Sequence, residues 1–332
     1  MQDDQLRQHC VRVVDAMLHG GVVPFLGAGV NLCDRPSEVE WQPSQTQYLP
    51  SGRELAEYLA LKFHYSLGQI CSATGCPRPK PELDLARISQ FGDTTLGTGP
   101  LYEELRSVFS PEYPITNVHR FLASLLSRVL MTRHTEDRYP LVVTTNYDDL
   151  MERSLEDIHQ QFDLVFYGLD DNLKGRFLHR KPDGRTDAIE KSNEYPYPFF
   201  EQCPVVLKIH GTIDRVNEDR GDFVITEDHY IEYLAEEALE RLLPPALLGK
   251  LRTNHLLFLG YSLRDWNTRV FLRRLKRHPK RAYKSWAVLL HADESEQQFW
   301  LKNNVEIVIR DLDEYVKLLH EELQSRADTP SS

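Results

Sequence analysis

The sequence predicts an α/β fold: a mostly parallel sheet with helices on both faces, plus a small helical module. Three observations carry this. Short runs that are apolar on both faces (VVPFL at 22–26, PLVVTT at 140–145, PVVLKI at 204–209, HLLFL at 255–259) alternate with stretches of helical periodicity, and such runs suit strands buried in a parallel sheet. Each of these runs stops in a short polar or glycine-bearing signature: GAGVN, TTNYD, KIHGT and LGYS. Residues 32–131 interrupt the alternation and read as largely helical, so they are expected beside the sheet as an insertion. The expected division is 1–31 with 132–323 as the sheet domain, 32–131 as the inserted module, and 324–332 as a flexible tail.

In chain order, Leu6, Cys10, Val13, Val14 and Met17 recur at helical spacing and predict an amphipathic helix over 4–19, ended by His19-Gly20-Gly21. Strand 22–26 follows and runs into Gly27-Ala28-Gly29. Residues 32–50 are polar and Pro-rich, a long loop over the glycine turn, and long loops in compact domains tend to serve function or stay disordered. Ser51 is placed to cap a helix from Gly52 to about Ser66. Residues 70–81 read as another loop, followed by short helices at 82–91 and 99–109 and a longer one at 117–131.

The strand at 140–145 ends in Asn146-Tyr147-Asp148, and a helix starts from Asp149. Residues 162–168 read as extended, and 169–203 as irregular with a turn at Pro182-Asp183-Gly184. The strand at 204–209 ends in His210-Gly211. No element is assigned between Thr212 and Asn254 apart from an acidic, solvated helix face at Glu236, Glu237 and Glu240. The strand at 255–259 ends in Gly260-Tyr261-Ser262, and a helix follows near Arg264 or Asp265, with Trp266 expected in the core. Strand 286–290, helix 293–303, strand 305–309 and helix 311–323 complete the alternation, and no internal repeat is present.

Composition narrows the function classes. A net charge of −11 repels nucleic acid and anionic membrane at long range. The basic run RVFLRRLKRHPKR at 269–281 reads as a solvated helix face, with partner or phosphate docking as its alternative. Cys10, Cys33, Cys71, Cys76 and Cys203 are odd in number and irregularly spaced, so no disulfide framework is indicated. The start MQDDQLRQHC lacks a signal-peptide profile, and no apolar run approaches the ~20 residues of a membrane span. A cytoplasmic protein without direct nucleic-acid or membrane binding is the expectation.

Ligands of open parallel sheets sit beyond the carboxyl ends of the strands, so four loops are aimed at one cleft. Gly27 and Gly29 let a backbone approach closely, and a helix starting just after would offer free N–H groups to a phosphate. Leu32 stands where a full G-x-G-x-x-G would carry its third glycine, and no acid follows at the usual ribose position, which disfavours an ordinary dehydrogenase. The TTNYD loop places an amide and a carboxylate at a strand end, where a helix cap would account for one of them. His210 ends the third strand, in a position open to structural use or to general-base chemistry.

Taken together and in this order, GAGVN, TTNYD, KIHGT and LGYS resemble the sirtuin superfamily, over the sheet-forming parts at 23–31 and 140–310. The resemblance implies a Rossmann-like NAD-binding fold. It implies that Gly27, Ala28 and Gly29 line the pyrophosphate. It places Asn146 by the nicotinamide ribose and the attacking water, Asp148 toward the nicotinamide carboxamide, and His210 as the base acting on the ribose hydroxyls. Gly260 and Ser262 would follow the adenosine half, Thr145 would join the binding set, and Asn31 stands where deacylases usually carry Ser.

Two departures bear on the activity. Residues 211–259 contain no cysteine, so the paired C-x-x-C zinc module of deacylating sirtuins is missing; Cys71 and Cys76 form one pair without a partner, and no zinc is expected. The GIPDFR stretch of deacylases is also absent, with Asp34-Arg35-Pro36 a poor echo of it. The pattern is similar to the zinc-less sirtuin-like NADases of bacterial antiphage defence. That resemblance implies hydrolysis of NAD to nicotinamide and ADP-ribose. A protein deacylase, an ADP-ribosyltransferase and a non-catalytic NAD-binding or ADP-ribose-binding subunit are the alternatives. A homo-oligomer is expected, with a separate activating subunit such as a HerA-like ATPase, or alternatively a short Argonaute, because the chain stops soon after its last strand. The stretch EYPYPFF at 194–200 is expected either to cap the NAD pocket or to form an interface.

Overall fold

The structure, a computed structural model, describes residues 3–65, 83–131, 139–169, 175–215, 221–235, 239–261, 266–275 and 284–327. Its centre is a nine-stranded sheet. The strands are β1 (Val22–Leu26), β2 (Leu141–Thr144), β3 (Asp163–Gly168), β4 (Arg176–Arg180), β5 (Thr186–Ala188), β6 (Val205–Lys208), β9 (His255–Leu259), β10 (Ser285–Leu289) and β11 (Val305–Ile309). A separate small hairpin pairs β7 (Gly211–Ile213) with β8 (Gly221–Phe223). The order across the sheet is β11-β10-β9-β1-β2-β6-β3-β4-β5, parallel throughout except for the antiparallel β3–β4 and β4–β5 pairs.

The strands are apolar on both faces because both faces are covered. In β1, Val22 and Leu26 point into one core while Val23 and Phe25 point into the other, as the two-residue period of a strand requires. The first core is closed by α1 (Asp3–Leu18), α5 (Asn117–Met131) and α12 (Leu312–Ala327). The second is closed by α9 (Pro245–Thr253), α10 (Trp266–Leu275) and α11 (Glu294–Lys302), through residues such as Leu251, Phe271 and Trp300.

The helices expected as one inserted module divide between two cores. α2 (Gly52–Lys62), α3 (Leu85–Leu96) and α4 (Thr98–Phe109) build a third core around Leu59, Ile88 and Leu105, whereas α5 packs on the sheet. α2 starts as its sequence predicts: Ser51 Oγ accepts from Glu54 N at 3.2 Å and Ser51 N donates to Glu54 Oε2 at 2.8 Å, a reciprocal cap. It ends earlier than expected, at Lys62, where Phe63 turns into the third core. Glu54 also anchors the long loop, accepting from Trp41 N at 2.8 Å and from the Arg35 guanidinium, whose Nη1 lies 3.0 Å away. Burial alone would raise the Glu54 carboxyl, but Arg35 and the backbone donors hold it down at about 2.

The region 175–203 is more regular than its sequence suggests. β4 and β5 form an edge hairpin around the expected turn, where Gly184 has φ of 85°. His179 interrupts the apolar pattern of β4 yet is fully buried, because Asp163 and Tyr195 pair both of its ring nitrogens at 2.9 Å. The aromatic stretch at 194–200 packs on that histidine through Tyr195, Tyr197 and Phe199. It does not cap the pocket: none of its residues lines the cleft described below. α6 (Leu150–Asp157), α7 (Glu227–Ala235) and α8 (Leu239–Leu242) complete the elements. Among the described residues no helix is long and apolar enough to cross a membrane. The 70–81 loop, Cys71, Cys76, residues 276–281 of the basic run, Glu236, Glu237 and the last residues of the tail lie outside the described residues, as do the side chains of Trp266 and Glu240.

Candidate active site

From β1 the chain passes to β2 and β6 on one side of the sheet and to β9, β10 and β11 on the other. That reversal makes the carboxyl ends of β1 and β9 a topological switch point, where a crevice opens. The two strand-end loops meet there backbone to backbone. Gly29 N donates to Gly260 O at 2.8 Å and Gly27 N to Leu259 O at 3.0 Å. A Cβ on Gly29 would lie 2.7 Å from Gly260 O, and one on Gly260, whose φ is +63°, would lie 2.2 Å from Val30 N. The glycines of GAGVN and LGYS are thus required by each other, in addition to any ligand.

The loop after β2 is tied to the same turn. Thr145 N donates to Leu26 O at 3.1 Å, and Asn146 N donates to Thr144 Oγ1 at 3.0 Å. Asn146 Nδ2 donates to Gly27 O at 3.3 Å, which sets the orientation of its amide. Asp148 does two jobs. Its Oδ1 accepts from Leu150 N at 3.1 Å, capping the start of α6, and its Oδ2 accepts from Asn31 Nδ2 at 2.7 Å.

Beneath this loop lies the fully buried Lys208. Its ammonium donates to Glu152 Oε1 at 2.8 Å, to Tyr147 O at 3.3 Å and to Asp148 O. Burial raises the Glu152 carboxyl, against the pull of Lys208. The pair binds α6, β6 and the backbone of the loop after β2 together, two residues before His210. The sequence signal was visible, a lone lysine in an apolar strand (VVLKI), but its partner four residues beyond Asp148 was not.

His210 is 6% exposed, with its ring edge-on to Tyr230 at 5.3 Å and Tyr233 at 6.0 Å. Among the described residues its ring makes no hydrogen bond. Burial pushes its pKa down to about 3, so the imidazole is neutral at physiological pH. Its position depends on Gly211, whose φ of +89° and 1.9 Å Cβ distance to Asp222 O admit no side chain, as the chain turns into the β7–β8 hairpin.

Gly27, Ala28, Gly29, Asn31, Thr145, Asn146, Asp148, His210 and Gly260 all line one cleft of about 1230 Å³. That exceeds the ~300–1,000 Å³ of ordinary small-molecule sites and suits an extended ligand. Ser262 lies outside the described residues. The cleft also takes Tyr230 from α7, Ser51 and Arg53 from the start of α2, and His291 and Asp311 beyond the ends of β10 and β11. The strand-end rule could have pointed to the last two, since both strands were legible. Among the described residues no group of three or more His, Cys, Asp or Glu side chains is placed to hold a metal ion.

A family model for the SIR2-like domain matches residues 140–308, just over half of the chain. The chain belongs to the SIR2-like family. Two curated relatives are NAD(+) hydrolase ThsA of Enterococcus faecium, 28% identical over 190 residues that make up 57% of this chain and 31% of that protein, and NAD(+) hydrolase ThsA of Cytobacillus dafuensis, 30% identical over 195 residues, 59% of this chain and 31% of that protein. The chain thus spans about a third of the length of these relatives. A solved structure described as "Structural Basis for the Mechanism and Regulation of Sir2 Enzymes" aligns with a TM-score of 0.40 at 13% identity, covering 99% of this chain and 100% of that one. As a SIR2-like domain, the molecule keeps its four strand-end signatures on one edge of the sheet, and all four are linked by hydrogen bonds to a neighbouring signature.

Proposed function

We propose that this chain is an NAD+ hydrolase that cleaves the bond between nicotinamide and ribose, releasing nicotinamide and ADP-ribose. NAD is then substrate rather than resident cofactor. The observation that carries the reading is the gathering of Asn146, Asp148 and His210 around the glycine turn, in a chain whose curated relatives are named NAD(+) hydrolases. The C–N bond electrons leave with the nicotinamide nitrogen, which was cationic and becomes neutral, so no acid is needed. The sugar passes through an oxocarbenium-like state, as in glycoside cleavage. Asn146 holds the attacking water, whose oxygen bonds to the anomeric carbon. The proton that the water loses passes to solvent, and His210, neutral through burial and so able to accept, acts as the base on the ribose hydroxyls, a role typically worth ~10²–10⁴-fold. Asp148 supplies negative charge beside the cationic ring. Gly27, Ala28 and Gly29 border the pyrophosphate and Gly260 the adenosine half, with Thr145 in the binding set.

The test is nicotinamide release from NAD by the purified protein, beside Asn146→Ala and His210→Ala, across protein concentrations. Release by the wild type, lost in both variants, is expected. Release that survives both variants rejects the site, and transfer of acyl groups from a lysine peptide in place of hydrolysis rejects the activity.

We further propose that NAD depletion serves antiphage defence in the cytoplasm, in a homo-oligomer activated by a separate subunit, a HerA-like ATPase ahead of a short Argonaute. The resemblance of the four motifs to zinc-less defence NADases supports this reading. A strictly monomeric preparation of full activity by light scattering counts against it.

A further inference from the structure

We propose that two copies of this chain associate through the outer edge of β11, pairing antiparallel about Val308 so that the two sheets run on into one. This rests on the homo-oligomer reading above, to which it gives a surface, and is independent of the hydrolysis chemistry. β11 closes one end of the nine-stranded sheet, with β10 as its neighbour and no strand beyond it among the described residues. Ser285 N donates to Asn304 O and Arg310 N to Leu289 O, both at 2.9 Å. Backbone groups alternate sides along a strand. Those of Asn304, Glu306, Val308 and Arg310 therefore turn to β10, and those of Val305, Ile307 and Ile309 turn outward. Such an open row of donors and acceptors is a template for another strand, and proteins normally blunt it. The opposite edge is blunted: β5 is three residues long, and its exposed Asp187 is paired with Lys181. β11 is five residues long, carries no proline, and keeps Ile309 40% exposed.

The strand's own sequence selects a second copy as its partner. Residues 306–310 are Glu-Ile-Val-Ile-Arg, a run that complements itself when reversed. A two-fold axis at Val308 sets each Glu306 opposite Arg310 of the second copy, each Ile307 opposite Ile309, and Val308 opposite itself. Ile307 and the Ile309 facing it then exchange both of their outward backbone hydrogen bonds. Ile307 packs on the core that α11 covers, and Ile309 shares its face by the two-residue period, so the pairing buries the exposed part of Ile309. Glu306 and Arg310 share the other face with Val308. Opposite charges directly across a strand pair stabilise it, and like charges repel. Glu306 already meets Lys284 at 2.8 Å, and a carboxylate has two oxygens with which to accept from both cations. Moving the axis loses these matches: centred on Ile307 it sets Glu306 against Val308, and centred on Glu306 it sets that charge against itself. The pair is isologous and closed, so it ends at a dimer instead of growing into a fibre. Arg310, the last of the paired run, and Asp311 line the cleft, so the second copy bears directly on one wall of the site.

The experiment is sedimentation velocity on the purified full chain across protein concentrations. It compares the wild type, Glu306→Arg, Arg310→Glu, these two changes together, and Ile307→Pro, with circular dichroism as the check on folding. Proline at 307 removes an outward N–H and no bond to β10, which an edge strand tolerates. The expected result is a wild-type dimer or an even multiple of it, with association weakened roughly tenfold or more in each single variant. Association returns in the double variant, where the charge pair is restored in reverse, a result that damage to the fold cannot produce. An assembly that no variant weakens by more than about twofold uses another face; the inference then fails while the homo-oligomer stands. Weakening in both charge variants without return in the double variant rejects the register and the inference with it. A wild type that stays monomeric at every concentration overturns the inference and the homo-oligomer together. Nicotinamide release is assayed separately, so the hydrolase reading stands or falls on its own test.

Discussion

The sheet carries a buried His, a buried Asp and a set of aromatic rings at each of its two ends, and the two sets are arranged differently. At the amino end, Asp163 Oδ1 accepts from Tyr197 at 2.9 Å and pairs His179 Nε2 at 2.9 Å, Asp163 Oδ2 meets Cys203 Sγ at 3.4 Å, and Tyr195 completes the other side of His179. Every donor there has an acceptor, and the cluster seals an edge hairpin. At the carboxyl end, the His210 ring lies edge-on to Tyr230 and Tyr233 with no hydrogen bond among the described residues, Asn31 keeps an unpaired oxygen, and both open on a large cleft. The same residue types thus read as structure where they are satisfied and as chemistry where they are not. Residue identity does not separate the two cases; saturation of the hydrogen bonds does.

Substitutions at the two ends should break in different ways. The largest effect is expected from His210→Ala, which should lower nicotinamide release by ~10²–10⁴-fold with little change in unfolding midpoint. His179→Ala should do the reverse: urea unfolding shifts because Asp163 and Tyr195 each lose a buried partner and a cavity opens, while kcat of the folded fraction is retained. If His179→Ala abolishes turnover in folded protein, the contrast between the ends is wrong.

Lys208→Met comes next. It leaves Glu152 buried without its cation, and removal of one member of such a pair costs ~3–5 kcal/mol. Restoration of stability by the double change Lys208→Met with Glu152→Leu, read by urea denaturation, would show that the cost lies in the orphaned carboxylate. Low nicotinamide release in that restored protein would then report the lost hold on the Tyr147 and Asp148 carbonyls.

The pH dependence of stability sharpens the comparison further. Burial pushes His210 down to about 3 and both His9 and His119 to about 4, and it also lowers His229. The unfolded chain, with histidines near 6.5, then binds protons before the folded one does. Stability from these groups is full above about 6.5 and is lost as pH falls toward 4. Glu54, held at about 2, adds its own loss only below the ordinary carboxylate range. A thermal midpoint flat from pH 6.5 to 4.5 would contradict the buried-neutral assignment. The smallest effect is expected at Ser51→Ala, about 1 kcal/mol from loss of the cap on α2, measured by chemical denaturation.

Much of the fold was legible because its strands are short, apolar on both faces and followed by glycine or polar stops. Val22–Leu26, Asn117–Met131 and the Ser51 cap need only local periodicity and local hydrogen bonding to be read. The β4–β5 hairpin was not legible, because His179 looks like a polar break until Asp163 on β3 and Tyr195 in the segment before β6 reach it. The β7–β8 hairpin is three residues to a strand, too short to carry a period. At the site, nine of the ten expected residues line one cleft, since strand ends of a parallel sheet share an edge by construction. Lys208, Tyr230 and the ends of β10 and β11 were missed, because their relevance depends on what packs beside them.

By itself the sequence determined the alternation of elements, the positions of the strand ends and the chemistry written on each of them. Those are local properties: a two-residue or 3.6-residue period, a glycine, a cap, a polar stop. Only the tertiary structure decided that Asp148 spends one oxygen on α6 and the other on Asn31, that Asn31 is thereby turned with its oxygen unpaired, and that the His210 ring rather than the His179 ring is left without a hydrogen bond among the described residues. These depend on contacts across long stretches of chain, with Asn31 and Asp148 117 positions apart, and no local pattern encodes which acceptor a donor will find once the sheet has closed.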